Sequence, residues 1–185
     1  MRVSFGKKPL IYPQPVLIIG TYNEDGSVNA MNAAWGGVGD DHQVFLCLSP
    51  EHKTVENILK RKAFTVQVAT EDTAVPSDYV GIISGNNEKD KFKKSGLYAE
   101  KSQVVDAPVL TDYPISIECS LISYEKEHCH CFGEIQNVTV DDKVLTDKKI
   151  DINKLKPLAF DIGNGAYLSF SRTFAKAFDI GKKLK

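Results

Sequence analysis

Apolar residues along this chain fall mostly in short runs, alternating with polar ones or standing together briefly, a spacing typical of strands. Val16-Leu17-Ile18-Ile19-Gly20-Thr21-Tyr22 is rich in β-branched residues and predicts a buried strand. Asn23-Glu24-Asp25-Gly26 follows as a turn whose Asp-Gly step suits a hairpin, so Val28 to Trp35 should return as the partner strand. Further strands are expected at Val44 to Leu48 and at Phe64 to Val68. Two long ones should run from Ile115 to Tyr124 and from Cys129 to Val140, around the charged turn Glu125-Lys126-Glu127. Asp141-Asp142-Lys143 breaks to a short strand, and Leu158 to Phe170 holds another.

Helical signals are brief. Ser49-Pro50-Glu51 resembles a helix start, with Ser49 as cap and Pro50 in the first turn, and Val55, Ile58 and Leu59 supply an apolar stripe. Residues 73–84 and 86–95 read as short helices, the second ending near Gly96. Many closely spaced strands with short inserted helices predict a mainly β fold, a β-barrel with flanking short helices. A doubly wound α/β sheet is disfavoured because strands and helices do not alternate regularly. Without a linker, repeat or low-complexity tract, residues 1–185 are expected to form one domain.

Charge narrows the function classes. The net charge is −1 with both signs interspersed, which does not suit a nucleic-acid binder. Arg2, Lys7 and Lys8 precede an apolar run, but Pro9, Pro13 and Pro15 break it and Val16 to Ile19 cannot span a bilayer. A cytoplasmic protein with no membrane partner is expected. Cys47, Cys119, Cys129 and Cys131 contain no CxxC pair and read as reduced strand residues. In His128-Cys129-His130-Cys131, strand alternation would turn the histidines one way and the cysteines the other, so one metal could not collect all four.

The chemistry concentrates between Gly26 and Thr54. Trp35, the only tryptophan, precedes Gly36-Gly37 and Gly39-Asp40-Asp41, a segment too polar and flexible to be core, and is therefore placed to pack on a ring. Asn29 and Asn32 stand in a strand, where asparagine is disfavoured; each offers a donor and an acceptor to a heterocycle. Small side chains near Ala33 leave its backbone approachable. Thr54, with His52 and Lys53, sits at a helix start, where free N–H groups bind phosphate. A lysine of the charged segment Asn86 to Lys94 could join the phosphate, and so could His128 or His130. No GxSxG, Walker A loop or GxGxxG is present, and no catalytic nucleophile is implied.

These residues resemble the flavin reductase-like family of FMN-binding split-barrel proteins, within it the flavoredoxin branch. The matching pieces are Gly26-x-x-Asn29-Ala30-Met31-Asn32-Ala33-Ala34-Trp35, His52-Lys53-Thr54-x-x-Asn57-Ile58 and Ala74-Val75-Pro76-Ser77-Asp78-Tyr79-Val80. Asp90-Lys91-Phe92 and His128 through Gly133-Glu134-Ile135 continue the series. The resemblance implies a six-stranded Greek-key barrel and a homodimer whose interface contributes to each FMN site. It also implies that Asn29, Met31, Asn32 and Ala33 border the isoalloxazine, with Trp35 packed on it. Thr54, with His52 or Lys53 nearby, would hold the phosphate, helped by Lys91 or Lys89 and by His128 or His130; Ser49 would also belong to the cofactor site, and Ser84, Phe160 and Tyr167 would complete the pocket.

The implied role is an FMN electron carrier between a reduced donor, NAD(P)H or an iron–sulfur protein, and an acceptor. Lys126-Glu127-His128 stands where many NAD(P)H-dependent members carry Gly-Asp-His, which favours bound FMN over direct use of a nicotinamide. The rivals are an NAD(P)H-dependent reductase using FMN as substrate and a non-catalytic module holding flavin or haem.

Overall fold

The computed structural model describes residues 1–170 and 172–184. Seven antiparallel strands form the main sheet: β1 (Leu17–Tyr22), β2 (Val28–Ala33), β3 (Gly36–Asp40), β4 (Gln43–Cys47), β5 (Ala63–Val68), β6 (Ile115–Glu125) and β7 (His130–Val140). Their order is β2-β1-β5-β6-β7-β4-β3. Thus β2 and β3 occupy opposite edges, although only Ala34 and Trp35 separate them in sequence. A flat sheet of this order would hold its edges nearly 30 Å apart, at about 4.8 Å per strand spacing. So short a link reaches only about 10 Å. The sheet must therefore curl until its edges meet, and the result is the mainly β split barrel that the sequence predicts.

The closure has a visible contact. A Cβ on Gly36 would lie 2.7 Å from Leu46 Cδ2, 2.9 Å from the Phe45 carbonyl oxygen and 3.1 Å from Leu17 Cδ1, so strands from both ends of the sheet meet at this glycine. The segment Gly36–Asp40, expected as a flexible loop, is instead an edge strand paired with β4. Its backbone makes the pairing, so an apolar side-chain pattern was not needed to specify it. The barrel accordingly has seven strands rather than six.

Inside lie Leu17, Ile19, Ala33, Val44, Leu46, Phe64, Val66, Cys119 and Cys131, joined by Val55 and Ile58 of α1 (Lys53–Arg61). Outside, Val16, Ile18 and Ala30 pack with Val80 of α2 (Ala74–Ile82), Leu97, Leu110 and Leu158. The run Val16 to Ile19 is thus apolar throughout because both of its faces are buried. Burial pushes the Cys119 and Cys131 thiols up to about 12, and all four cysteines are free. A smaller sheet joins Gln14–Pro15 to a hairpin of β8 (Leu158–Asp161) and β9 (Ala166–Ser169), two strands where the sequence suggested one.

Several boundaries differ from expectation for local reasons. Ser49 does not cap α1: its carbonyl accepts from the His52 N–H at 3.1 Å, closing a turn, so the helix begins at Lys53 with His52 in the cap position. Leu59 is 39% exposed, and the buried face of α1 carries Thr54, Val55, Asn57 and Ile58 instead. The helix expected from 86 to 95 shrinks to α3 (Lys91–Ser95). Upstream, Ser84 Oγ accepts from the Asn86 N–H and Glu88 Oε1 from the Asp90 N–H, side-chain bonds that compete with helix formation. Cys129 adopts φ 61°, so β7 starts at His130 and His128 belongs to the turn.

The barrel seam yields a stability prediction. Gly36→Ala should lower the unfolding free energy by about 1–3 kcal/mol through overpacking. Denaturant titration of the purified variant checks this.

Candidate flavin site

Strand β2 positions the site because it is an edge strand with a different neighbour on each flank. Asn29, Met31 and Ala33 share the face that turns inward, with Ala33 buried in the barrel core and Met31 packed beside it. Asn32 lies on the opposite face against α2, where Gly81 approaches its Cβ. A cleft of 180 Å³ straddles this edge, lined by Asn29, Met31, Asn32, His52, Lys53, Thr54, residues 80–85 and Lys91. Of the residues predicted from sequence, Asn29, Met31, Asn32, His52, Lys53, Thr54, Ser84 and Lys91 therefore converge in one place.

Polar order is built into its floor. Asn29 Nδ2 donates to Thr54 Oγ1 at 2.9 Å and to Thr21 Oγ1 at 3.3 Å. Asn57 Nδ2 donates to the same Thr21 oxygen at 3.1 Å and to Asn23 Oδ1 at 2.9 Å. Thr21, Asn29, Thr54 and Asn57 are all buried, so this network locks β1, β2 and α1 together at one end of the barrel. Gly85 closes over it, since a Cβ there would come within 2.6 Å of Asn29 Oδ1. Sequence reasoning missed Thr21, Asn57 and Gly85 as site builders. Their signal was a polar residue in an apolar run, a polar residue on an apolar helix face, and the Ser84-Gly85-Asn86-Asn87 stretch.

Two features make the cleft cationic. His52 provides no side-chain cap, and the Lys53 and Thr54 N–H groups have no hydrogen-bond acceptor among the described residues. Unpaired amides at a helix start carry partial positive charge. Lys91, the first residue of α3, is only 4% exposed, yet its ammonium makes no ion pair or hydrogen bond among the described residues. Desolvation lowers its ammonium pKa from 10.5 to about 8. By contrast, Lys53 Nζ is already paired with Glu56 at 3.0 Å.

The remaining predicted residues lie elsewhere or at the margin. Tyr167 reaches the cleft edge: its hydroxyl donates to Asp78 Oδ1 at 2.8 Å and accepts from Asn32 Nδ2 at 3.4 Å. Desolvation, reinforced by the bond to Asp78, pushes that phenol up to about 12. Phe160 stands behind Tyr167, ring centres 6.2 Å apart. Ser49 is exposed on the turn before α1 and does not line the cleft. His128 and His130 flank Glu125, at 3.1 and 3.7 Å, with rings 5.7 Å apart at the end of the β6–β7 hairpin. Trp35 is 49% exposed in a separate apolar cleft with Ile11, Pro13, Val38 and Phe45. Its position at the barrel seam carries it away from the Asn29–Asn32 edge. Lys89 lines an adjoining cleft.

Comparison with known proteins agrees with this architecture. Residues 10–164 match the flavin reductase like domain. Flavoredoxin of Desulfovibrio vulgaris (Miyazaki F) is 37% identical, with a TM-score of 0.93 over 98% of this chain and 100% of that one. Flavoredoxin from Methanosarcina acetivorans superposes with a TM-score of 0.88 at 22% identity, covering 100% of both chains. An FMN-binding protein from Thermus thermophilus gives 0.76 at 21% identity, over 95% of this chain and 100% of that one. The chain belongs to the flavin reductase-like family, in its flavoredoxin branch.

Proposed function

We propose that the protein binds FMN at the β2 edge and carries electrons between a reduced donor and an acceptor, the whole chain forming one domain and working as a homodimer. Lys91 is the observation that carries this reading. A largely desolvated ammonium at the cleft wall, without an internal partner, costs stability, and that cost is offset when an anion arrives. Lys53 and Thr54, whose N–H groups are open, line the same cleft, which supports a phosphate held there. Thr54 Oγ1 accepts from Asn29, which leaves its own proton for a ligand oxygen. Met31, Asn32 and Tyr167 are the residues that would hold the ribityl chain and ring.

When bound, FMN supplies the redox chemistry. The chain's own part is binding, orientation and exclusion of water. Lys91 neutralises phosphate charge, the Thr21–Asn29–Thr54–Asn57 network holds the α1 terminus in place, and Met31 gives an apolar wall. Exposed Trp35 and Val38, in an apolar cleft of 370 Å³, support a homodimer interface, and Trp35 is assigned to it rather than to the wall of its own cleft. No helix among the described residues is long and apolar enough to cross a membrane.

An absorption spectrum of the purified protein should show oxidised-flavin bands at one flavin per chain. Under anaerobic conditions a reduced iron–sulfur protein should bleach them faster than NADH or NADPH. Colourless protein that does not bind added FMN would sink the reading.

Lys91→Met should weaken FMN binding roughly ten- to a hundredfold, the worth of a charge-assisted hydrogen bond. Without flavin, the same substitution should raise stability by about 1–3 kcal/mol at pH 7, because a buried charge is removed. Calorimetric titration and thermal melts of the apoprotein separate the two effects.

The pH dependence follows from the lowered lysine. Between about 8 and the ordinary 10.5 the unfolded chain holds a proton that the folded chain has lost, so the apoprotein should gain stability as pH rises through that window. FMN affinity should do the opposite, falling above about pH 8 as Lys91 deprotonates, and Lys91→Met should remove that fall. Titrations from pH 7 to about 10 read both trends.

A further inference from the structure

The C-terminal arm stands apart from the chain it belongs to. Its last tie is the Phe170 N–H, which donates to the Pro157 carbonyl at 3.2 Å. Beyond that point, among the described residues, every hydrogen bond and ion pair of residues 172–184 stays within the arm. Phe174 is 85% and Phe178 99% exposed, although burying a phenylalanine is among the larger gains open to a chain. Their separation along the chain sets both rings on one side whether the segment is extended or helical. At about 3.3 Å per residue the arm reaches roughly 45 Å, comparable with the diameter of a body this size. We propose that in the homodimer described above, on which this inference rests, the arm of each copy crosses to the other and seats Phe174 and Phe178 in the groove beside Trp35.

Groove and arm match in shape, hydrogen bonding and charge. Ile11, Pro13, Trp35, Val38 and Phe45 give the groove apolar walls, and its volume of 370 Å³ has room for aromatic side chains. Phe45 continues that surface to Phe132, ring centres 5.3 Å apart. Gln14 also lines the groove; it is 8% exposed, and its Oε1 is buried without a hydrogen-bond partner among the described residues. A backbone N–H of an entering segment is the donor that this acceptor lacks. Residues 171–185 hold five basic residues and one acidic, whereas residues 14–170 hold 23 acidic against 15 basic, so an arm is attracted to the body of another copy. The complement is also local. Asp40 and Glu134 both flank Gln43 across the strands, just beyond Val38 of the groove. Both carboxylates are exposed and make no ion pair among the described residues, and the same holds for Arg172 and Lys176 on the arm. A two-fold pair closes the exchange, since each copy offers one arm and one groove and none is left over.

Two readouts on the full-length protein test this, because Trp35 is the only tryptophan and its fluorescence reports on the groove. In the Phe174→Ser/Phe178→Ser double variant, the dimer dissociation constant from sedimentation equilibrium should rise by roughly tenfold or more, as expected when large apolar contacts are lost. Trp35 emission, compared at equal flavin content, should move to longer wavelength as water enters the groove. Both substituted side chains are exposed within their own chain, so the fold should persist, and an unchanged circular dichroism spectrum certifies it. An unweakened dimer overturns the exchange and leaves the homodimer standing; a shift in emission would then assign the groove to the chain's own arm. A weakened dimer with unmoved emission overturns the Trp35 groove as the seat. Unsubstituted protein that stays monomeric at every concentration overturns both the exchange and the homodimer.

Discussion

Everything in this molecule follows from the need to join β2 to β3 through Ala34 and Trp35 while these strands lie at opposite edges of a seven-stranded sheet. That link leaves the sheet no flat solution. Curling it places Gly36 between Leu17 and Leu46, encloses the inner faces of six strands in one core, and commits Val55 and Ile58 of α1 to the same core. It also leaves β2 as an edge strand, paired with β1 along one side and with no strand along the other. The flanking helices then convert that edge into a cleft. Structural closure and the ligand cleft are thus two consequences of one geometric constraint.

The cleft itself is assembled against local stability. A folded chain gains little from burying Lys91 without a partner, leaving the first amides of α1 open, or filling a barrel end with Thr21, Asn29, Thr54 and Asn57 in place of aliphatic residues. The polar network is hydrogen-bonded internally through Asn29 Nδ2 and Asn57 Nδ2, with only Asn57 Oδ1 of its described side-chain atoms left buried without a partner, and so holds its shape; the Lys91 ammonium and the helix amides are unpaired. This division separates scaffold from binding groups. The hydrogen-bonded members fix where α1 starts relative to β2, and the unpaired ones carry the positive charge that an anion would meet.

How legible each part was depends on how far its cause extends along the chain. Strands with apolar side chains, such as Val16 to Tyr22 and Phe64 to Val68, are visible because burial selects their residues directly. The edge strand Gly36–Asp40 was invisible, since backbone pairing with β4 holds it and its side chains hardly contribute. The ends of α1 and α3 shifted because a turn at Ser49 and side-chain bonds from Ser84 and Glu88 competed with the first helical turn. Asn29, Thr54 and Lys91 stood out as misplaced polar residues, whereas Gly85 was unmarked because its role is to be absent where Asn29 needs room.

By itself, the order of apolar runs and turns determined a mainly β barrel and drew attention to the Asn29–Trp35 and His52–Thr54 stretches, because local periodicity and residue chemistry do not depend on distant partners. Only the tertiary structure decided which of those residues meet. Curling the sheet brought residues 29–32, 52–54, 80–85 and 91 to one edge and carried Trp35 round the seam to a separate apolar face. It also placed His128 and His130 beside Glu125 at the β6–β7 hairpin end, outside the Lys91 cleft. Distance along a chain says nothing about distance across a barrel, and burial of the Lys91 ammonium, the charge on which the site turns, exists only once α2, α3 and β2 have closed around it.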